Sequence, residues 1–300
     1  MNYMRKKEMK RIIIKLLSAF FQWGDALLCK MHITRPKVII WLDGGICSQM
    51  LMYLNGRLYE DYPIEIYYDA RWYTYCGKDM NGNFDRLFEL TTLFPKLPYQ
   101  EMSSWKCHFY QMFFKYPNEG VLPRPETIKH SYWLGYYLEL PENDLNRLYE
   151  RHFRGHQNKD GDKHIIKEKN GTACAVHVRR GDLANYEDQW YKKIPSTYFF
   201  NAIEYVRKKY ENVHLYFFCE EQEWVEENLC PALPTDARYT LIRGNKAYED
   251  LLLISECDVV IASQGSFGKY GAKLNGASEL IMYKGTAVNQ QNLLYVTYIE

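Results

Sequence analysis

Neither sign of charge predominates in this 300-residue chain, where 38 Lys and Arg meet 37 Asp and Glu for a formal net charge of +1. That balance argues against a dedicated nucleic-acid binder, which needs a marked basic excess to meet phosphates. No two of the eight cysteines form a C-x-x-C pair, and the eight histidines do not cluster at zinc-finger spacing, so no structural metal is expected. There is no G-x-x-x-x-G-K-[ST] phosphate loop, no complete G-x-G-x-x-G fingerprint and no internal repeat. No secretory signal is visible, and Cys174 and Cys219 lie in apolar strand-like runs as small hydrophobes. A reducing cytoplasm is the expected compartment.

What is present suffices for a sizeable core. Hydrophobic residues make up 47% and charged residues 25%, ordinary for one large globular domain or two of average size. The 27 tyrosines and 7 tryptophans offer flat apolar faces with polar tips, a surface that suits sugars and equally a Tyr-rich core.

Residues 1–35 stand apart. Six basic residues fall between Arg5 and Lys15, and the apolar run that follows is interrupted by Lys15, Gln22 and Asp25, which argues against a transmembrane span. At helical spacing Ile13, Leu16, Leu17, Phe20, Gly24 and Leu27 share one face, with Arg11, Lys15, Ser18, Gln22 and Asp25 on the other. Such a helix either lies in the interface of an anionic membrane, as a peripheral contact, or packs on the protein as a lid.

The rest reads as alternating strands and helices. Residues 35–45, "RPKVIIWLDGG", give a strand and a glycine turn; a helix with Met50, Leu51, Leu54 and Leu58 on one face and the strand "IEIYYD" follow. Residues 70–164 are less regular, with helical patches expected near 84–92 and 142–152 and a polar linker at 155–164. From 172 onward strands and helices alternate through "TACAVHV", "VHLYFFC", "YTLIRG", "DVVIAS" and "SELIMYK", which predicts a parallel, Rossmann-like sheet. The expectation is an α/β protein of two such domains with a cleft between them, divided into 1–35, 36–160 and 161–300.

Ligands bind beyond the carboxyl ends of parallel strands. "HVRRGD" occupies one such end, where two adjacent arginines repel each other unless an anion lies between them. A second end, "VVIASQGSFG", supplies Ser263, Ser266 and two glycines ahead of a helix, a turn suited to phosphate or simply a helix cap.

"HVRRGD" resembles the H-x-R-R-G-D signature of the α-1,2-fucosyltransferases, glycosyltransferase family GT11. The segments "STYFFNAIEYV", "LYFFCEEQEWVEENL" and "DLLLISECDVVIASQGSFGKYGAKLN" are similar to that family's later motifs, and "GGICSQM" to its G-G-x-G-N-Q-M. Coverage is roughly residues 38–60 and 173–283. The resemblance implies a GT-B-like fold of two Rossmann-like domains, with GDP-fucose held by the second and no cofactor or metal. It implies that Arg179 and Arg180 meet the pyrophosphate, with His177 beside the nucleotide, Ser266 and Phe267 in the phosphate turn and Asp250 on guanine. Gly44, Gly45 and Gln49 would lie on the acceptor side, and Asp182 or Glu187 would be the catalytic base. Departures include Cys47 and Ser48 in the first motif and Glu220–Glu221 where the family has two aspartates.

The expected activity is inverting transfer of L-fucose from GDP-fucose to the 2-hydroxyl of a galactoside, in a lipid-linked or other surface glycan of O-antigen or capsule type. Another GDP-deoxysugar such as GDP-colitose is the alternative donor, and an inactive glycan-binding protein is the alternative of another class. No nucleic-acid partner is expected.

Overall fold

The computed structural model describes residues 2–79, 81–118, 120–135, 138–157, 166, 171–181, 194–277, 279–285 and 296–300. In chain order the elements of the first half are α1 (Asn2–Lys30), β1 (Lys37–Trp41), α2 (Ile46–Arg57), β2 (Glu65–Asp69), α3 (Trp72–Tyr75), α4 (Leu90–Leu93), α5 (Ser104–Phe113), β3 (Gly120–Val121), β4 (Tyr132–Leu134), β5 (Leu138–Glu139) and α6 (Glu142–His152). The second half holds β6 (Thr172–His177), α7 (Ser196–Lys209), β7 (Val213–Phe218), α8 (Gln222–Asn228), β8 (Arg238–Leu241), α9 (Ala247–Glu256), β9 (Val259–Ala262), α10 (Phe267–Asn275), β10 (Glu279–Tyr283) and β11 (Val296–Ile299). Two compact units result, one of Met1–Gly77 with Lys96–His152, the other of Lys78–Pro95 with Phe153–Glu300.

The first unit is built on a parallel sheet in the order β2-β1-β4. Central β1 is apolar without alternation because both its faces are covered, and Val38, Ile39 and Ile40 are all buried. Ile39 packs with Met102, Cys107 and Trp133. Helix α5 and the short strands β3 to β5 were not read in the sequence, where aromatic residues obscure any clear period.

Helix α1 sits against α5 in an unexpected orientation. Phe21 packs on Phe109 and Phe113 with ring centroids 5.3 and 4.9 Å away. The Gln22 amide donates to the Phe113 carbonyl at 2.7 Å, and the Ser131 amide donates to Asp25 Oδ2 at 2.6 Å. Gln22 and Asp25 belong to the face predicted to be polar, yet they hold the helix in place by satisfying backbone groups, one of them an end-of-helix carbonyl. The apolar face points outward instead, with Leu16 67%, Phe20 65% and Trp23 66% exposed. A lid that buries Leu16, Phe20 and Leu27 is therefore not what forms. Residues Lys6–Lys30 are also long and apolar enough to cross a membrane by length and composition, despite the interruptions at Lys15, Gln22 and Asp25.

The second unit carries a six-stranded, all-parallel sheet in the order β11-β10-β9-β6-β7-β8. Counted from β6, this is the doubly wound order 3-2-1-4-5-6, whose direction reverses between β6 and β9. Period two along β6 sorts the core. Cys174, Val176 and Val178 pack with Tyr198, Phe199 and Val206 from α7, while Ala173 and Ala175 face Ile254 of α9 and Ala272 of α10. Strand β11, missed in the sequence, extends the sheet beside β10.

Residues 78–95 join this second unit, whereas the sequence assigned them to the 36–160 domain. Phe94 packs on Phe153 with centroids 4.6 Å apart, and α4 packs on α9. A helix expected over 84–92 is reduced to α4. Upstream of it Asp79 Oδ1 accepts the Asn83 and Phe84 amides at 2.7 and 3.2 Å, and Gly82 has φ +75°. A side chain that satisfies nearby amides in this way stabilises a turn at the expense of helix. Most of the predicted 155–164 linker lies outside the described residues.

Candidate functional site

The switch point between β6 and β9 brings the two sequence motifs together. β6 pairs with β9 so that His177 lies opposite Ala262, and the chains continue side by side past the sheet edge. Buried Ser263 then links them: its amide donates to the His177 carbonyl at 3.1 Å and its hydroxyl accepts the Arg179 amide at 2.7 Å. The backbone of the arginine turn is thereby fixed from the neighbouring strand.

Helix α10 closes in behind. Gly265 takes φ +82°, and Ser266 stands at the N-cap without a side-chain capping bond. A Cβ on Gly268 would come within 2.6 Å of the Ala262 Cβ, so glycine is what lets α10 approach β9 this closely. Phe267 stacks on His177 at 5.2 Å and 29°. His177 is buried, and its Nδ1 has no hydrogen-bond partner among the described residues. Burial, and then the charge of Arg179, pull its pKa down to about 3, so the imidazole is neutral near pH 7.

Each arginine of the motif is bonded to a carboxylate from the neighbouring strand end. Arg179 Nη1 donates to Glu220 Oε2 at 2.8 Å, and Arg180 Nε to Glu221 Oε2 at 3.0 Å. Glu221 Oε1 also accepts the Gly181 amide at 2.8 Å, and the Arg180 guanidinium lies 4.3 Å from the Trp224 ring centroid. The other oxygen of Glu220 accepts Arg86 Nη1 at 2.7 Å.

The glutamate pair was visible in the sequence only as a departure from a motif, yet a signal for its role existed. Register pairs His177 with Phe218, so two residues beyond each strand Arg179 meets Glu220, and one residue further Arg180 meets Glu221. Arg86 gave no such signal, because it lies 134 residues from its partner in sequence.

Asp250 sits in the first turn of α9, which like α10 opens at the carboxyl edge of the sheet. Asn245 donates to it at 2.9 Å. Burial raises its pKa to about 6, with the Asn245 bond opposing and Glu249 adding to the rise. Asp182 and Glu187 lie outside the described residues. So does the Asp-Gly-Asp run at 160–162, a D-x-D spacing in the sequence. Among the described residues no group of three or more His, Cys, Asp or Glu side chains gathers as a metal cluster.

Gly44, Gly45 and Gln49 belong to the first unit. Gly44 has φ +70°, Gly45 caps α2, and the buried Gln49 amide donates back to the Gly44 carbonyl at 3.3 Å. Tyr73 Oη donates to the same carbonyl at 3.1 Å. These bonds give the residues a structural role in their own turn.

Residues 128–294 match the sequence profile of glycosyl transferase family 11. The galactoside alpha-(1,2)-fucosyltransferase 1 of Ateles belzebuth is 26% identical over 200 residues, 65% of this chain and 48% of that protein. The alpha-1,2-colitosyltransferase of Escherichia coli is 26% identical over 105 residues, 34% of this chain and 36% of that protein. The match thus spans about half, or less, of these relatives' own length. A crystal structure from Listeria monocytogenes, described as a UDP-N-acetylglucosamine 2-epimerase, aligns over 83% of this chain and 79% of that one, with 12% identity and a TM-score of 0.45, too slight a likeness to carry an argument.

Proposed function

Because the chain belongs to glycosyl transferase family 11, we propose that it moves a deoxysugar, L-fucose in the first instance, from its GDP ester to the 2-hydroxyl of a galactoside. The observation that carries this reading is the pairing of Arg179 and Arg180 with the Ser266–Phe267 helix start at one topological switch point. Guanidinium groups and helix-start amides both stabilise phosphate charge. The activities of the two relatives support this choice of sugar and linkage.

In this reading the pyrophosphate rests between the arginines and the first turn of α10, and the neutral, buried His177 supports that turn by stacking on Phe267. Asp250, in its ionised form, accepts guanine N–H groups. As the glycosidic C–O bond breaks, negative charge grows on the leaving GDP, and preorganised guanidiniums stabilise that charge more in the transition state than in the ground state. The acceptor hydroxyl loses its proton to a base, Asp182 or Glu187, and attacks with inversion. With arginines in this role the reaction needs no divalent ion and no cofactor.

Colitose is the second donor to test, since one relative is a colitosyltransferase. GDP release measured with GDP-fucose and GDP-colitose, with and without a galactose-terminated oligosaccharide, decides among these readings. Acceptor-dependent release with GDP-fucose is expected. Release with neither donor, despite glycan binding, would favour the inactive binding protein, and a strict Mg²⁺ or Mn²⁺ requirement would remove the metal-free mechanism.

The acceptor is a glycan of the cell surface, assembled at the cytoplasmic side of the membrane. The outward apolar face of α1 and its basic first half support a peripheral contact with anionic lipid. Phe20→Ser with Trp23→Ser should reduce co-sedimentation with anionic vesicles at unchanged melting temperature; unchanged co-sedimentation would exclude this contact.

A further inference from the structure

The two arginines of the motif are not in electrostatic surplus, because Glu220 and Glu221 match them charge for charge. A multiply charged diphosphate entering that neutral set would gain little. Arg86 adds a third guanidinium: it and Arg179 flank Glu220, while Arg180 pairs with Glu221, and the Arg86 charge also acts on Glu89. We propose that Arg86 is a third diphosphate-binding residue, held beside Arg179 by Glu220. The proposal rests on the donor reading above.

Geometry supports a binding role over a simple ion pair. Glu220 takes Arg179 on one oxygen and Arg86 on the other, at 2.8 and 2.7 Å, so two like charges flank a single carboxylate. Glu220 is already paired without Arg86, and a second guanidinium there adds repulsion that an incoming anion would relieve. Among the described residues Arg86 makes one hydrogen bond, from one of its five N–H groups, and its side chain is 16% exposed.

The segment that carries Arg86 is also fixed at the site. On one side the Asp79 turn presents Phe84, whose ring edge would lie 3.4 Å from a Cβ on Gly181. On the other side α4 packs against α9. Arg86 is thus anchored at both ends beside the arginine turn.

The test is GDP and guanosine binding by calorimetry to the full chain and to its Arg86→Ala, Arg86→Met and Arg86→Lys variants, each checked by thermal melting. Methionine keeps the apolar stem, so it serves if alanine impairs folding. Loss of a charged hydrogen bond predicts GDP affinity about 10- to 100-fold weaker in the alanine and methionine variants, with guanosine affinity unchanged. Lysine should restore part of the loss, since it keeps the charge without the fork. The difference between wild type and variant should also narrow as salt rises. Unchanged GDP affinity in the variants, with the wild type binding GDP well, would overturn the role of Arg86 and leave the donor reading intact. Equal losses for GDP and guanosine would make Arg86 structural. A wild-type chain that binds neither would overturn the donor reading and this inference with it.

Discussion

The turn after β1 and the turn after β9 each lead a strand into a helix through glycine, and each was a candidate for ligand contact in the sequence. In the first, the Gly44 carbonyl is occupied twice over, by Gln49 and by Tyr73. In the second, Ser266 makes no side-chain capping bond, and the buried His177 Nδ1 has no partner among the described residues. Both turns join a buried parallel strand to a helix. They differ in whether the polar groups they gather are satisfied among the described residues, and a buried polar atom without a partner costs about 1–3 kcal/mol. The second turn, beside arginines paired with carboxylates, is the one we propose receives the donor.

The largest test of that contrast sets Arg179→Ala against Gln49→Leu. Removing one preorganised donor to developing charge typically lowers turnover about 10²- to 10³-fold. Arg179→Ala should therefore lose most acceptor-dependent GDP release while its melting temperature stays close to wild type, since the guanidinium is only half-buried. Gln49→Leu should do the reverse, lowering stability through the Gly44 carbonyl with little change in turnover of the folded fraction. Normal turnover in Arg179→Ala would break the contrast at its strongest point.

The second turn was legible in the sequence because its signals are local. A β-branched strand, an Arg-Arg-Gly turn and a Gly/Ser helix start are short patterns, and the parallel sheet followed from their alternation. The first half was harder to read. Helix α5 and strands β3 to β5 lie in a stretch whose Trp and Tyr residues fit helix and strand alike, so periodicity had little to act on. The outward face of α1 could not be read either, because hydrophobic pattern says which face is apolar and not which face is held. Gln22 and Asp25 are held by backbone groups of remote segments, and such contacts leave no mark on a helical wheel. Arg86 was illegible for the same reason. Glu220 and Glu221 were readable in principle from strand register, once β6 and β7 were known to be neighbours.

A smaller test uses acid. Asp250 has its pKa raised to about 6 by burial, so near pH 5 most molecules carry the neutral acid. Guanine offers N–H donors to this position, which the ionised carboxylate accepts and the protonated acid accepts poorly. Guanosine avoids titration of the phosphates, so its affinity is the cleaner measurement. It should be flat above about pH 7 and fall roughly tenfold for each pH unit below about 6. Glu89, raised to about 6 chiefly by burial, titrates in the same window. Asp250→Asn separates the two: it should weaken guanosine and remove the pH dependence, whereas a dependence that survives would assign it to Glu89. For stability the sign is opposite. Both carboxyls are raised above their unfolded values, so the folded chain holds more protons between about pH 4 and 6, and their contribution declines as pH rises through that window.

The smallest expected effect comes from placing alanine at the two glycines with positive φ, and it compares the turns directly. Gly44 at +70° and Gly265 at +82° both occupy the left-handed region, where an L side chain costs about 1–2 kcal/mol. The backbone cost should thus be similar at both. A Cβ at Gly44 would also meet Ser48 at 3.0 Å, tighter than ordinary contact, whereas a Cβ at Gly265 meets nothing within 4 Å. On stability alone Gly44→Ala should be the more damaging, by a melting temperature a few degrees lower at about 2–4 °C per kcal/mol. On function the order should invert. The Cβ at Gly265 projects into space that the fold leaves open at the start of α10, so Gly265→Ala should raise the donor KM severalfold, while Gly44→Ala leaves it unchanged. If both variants lose stability and neither changes the donor KM, the open space beside Gly265 is not where the diphosphate enters, and the distinction between the two turns reduces to packing.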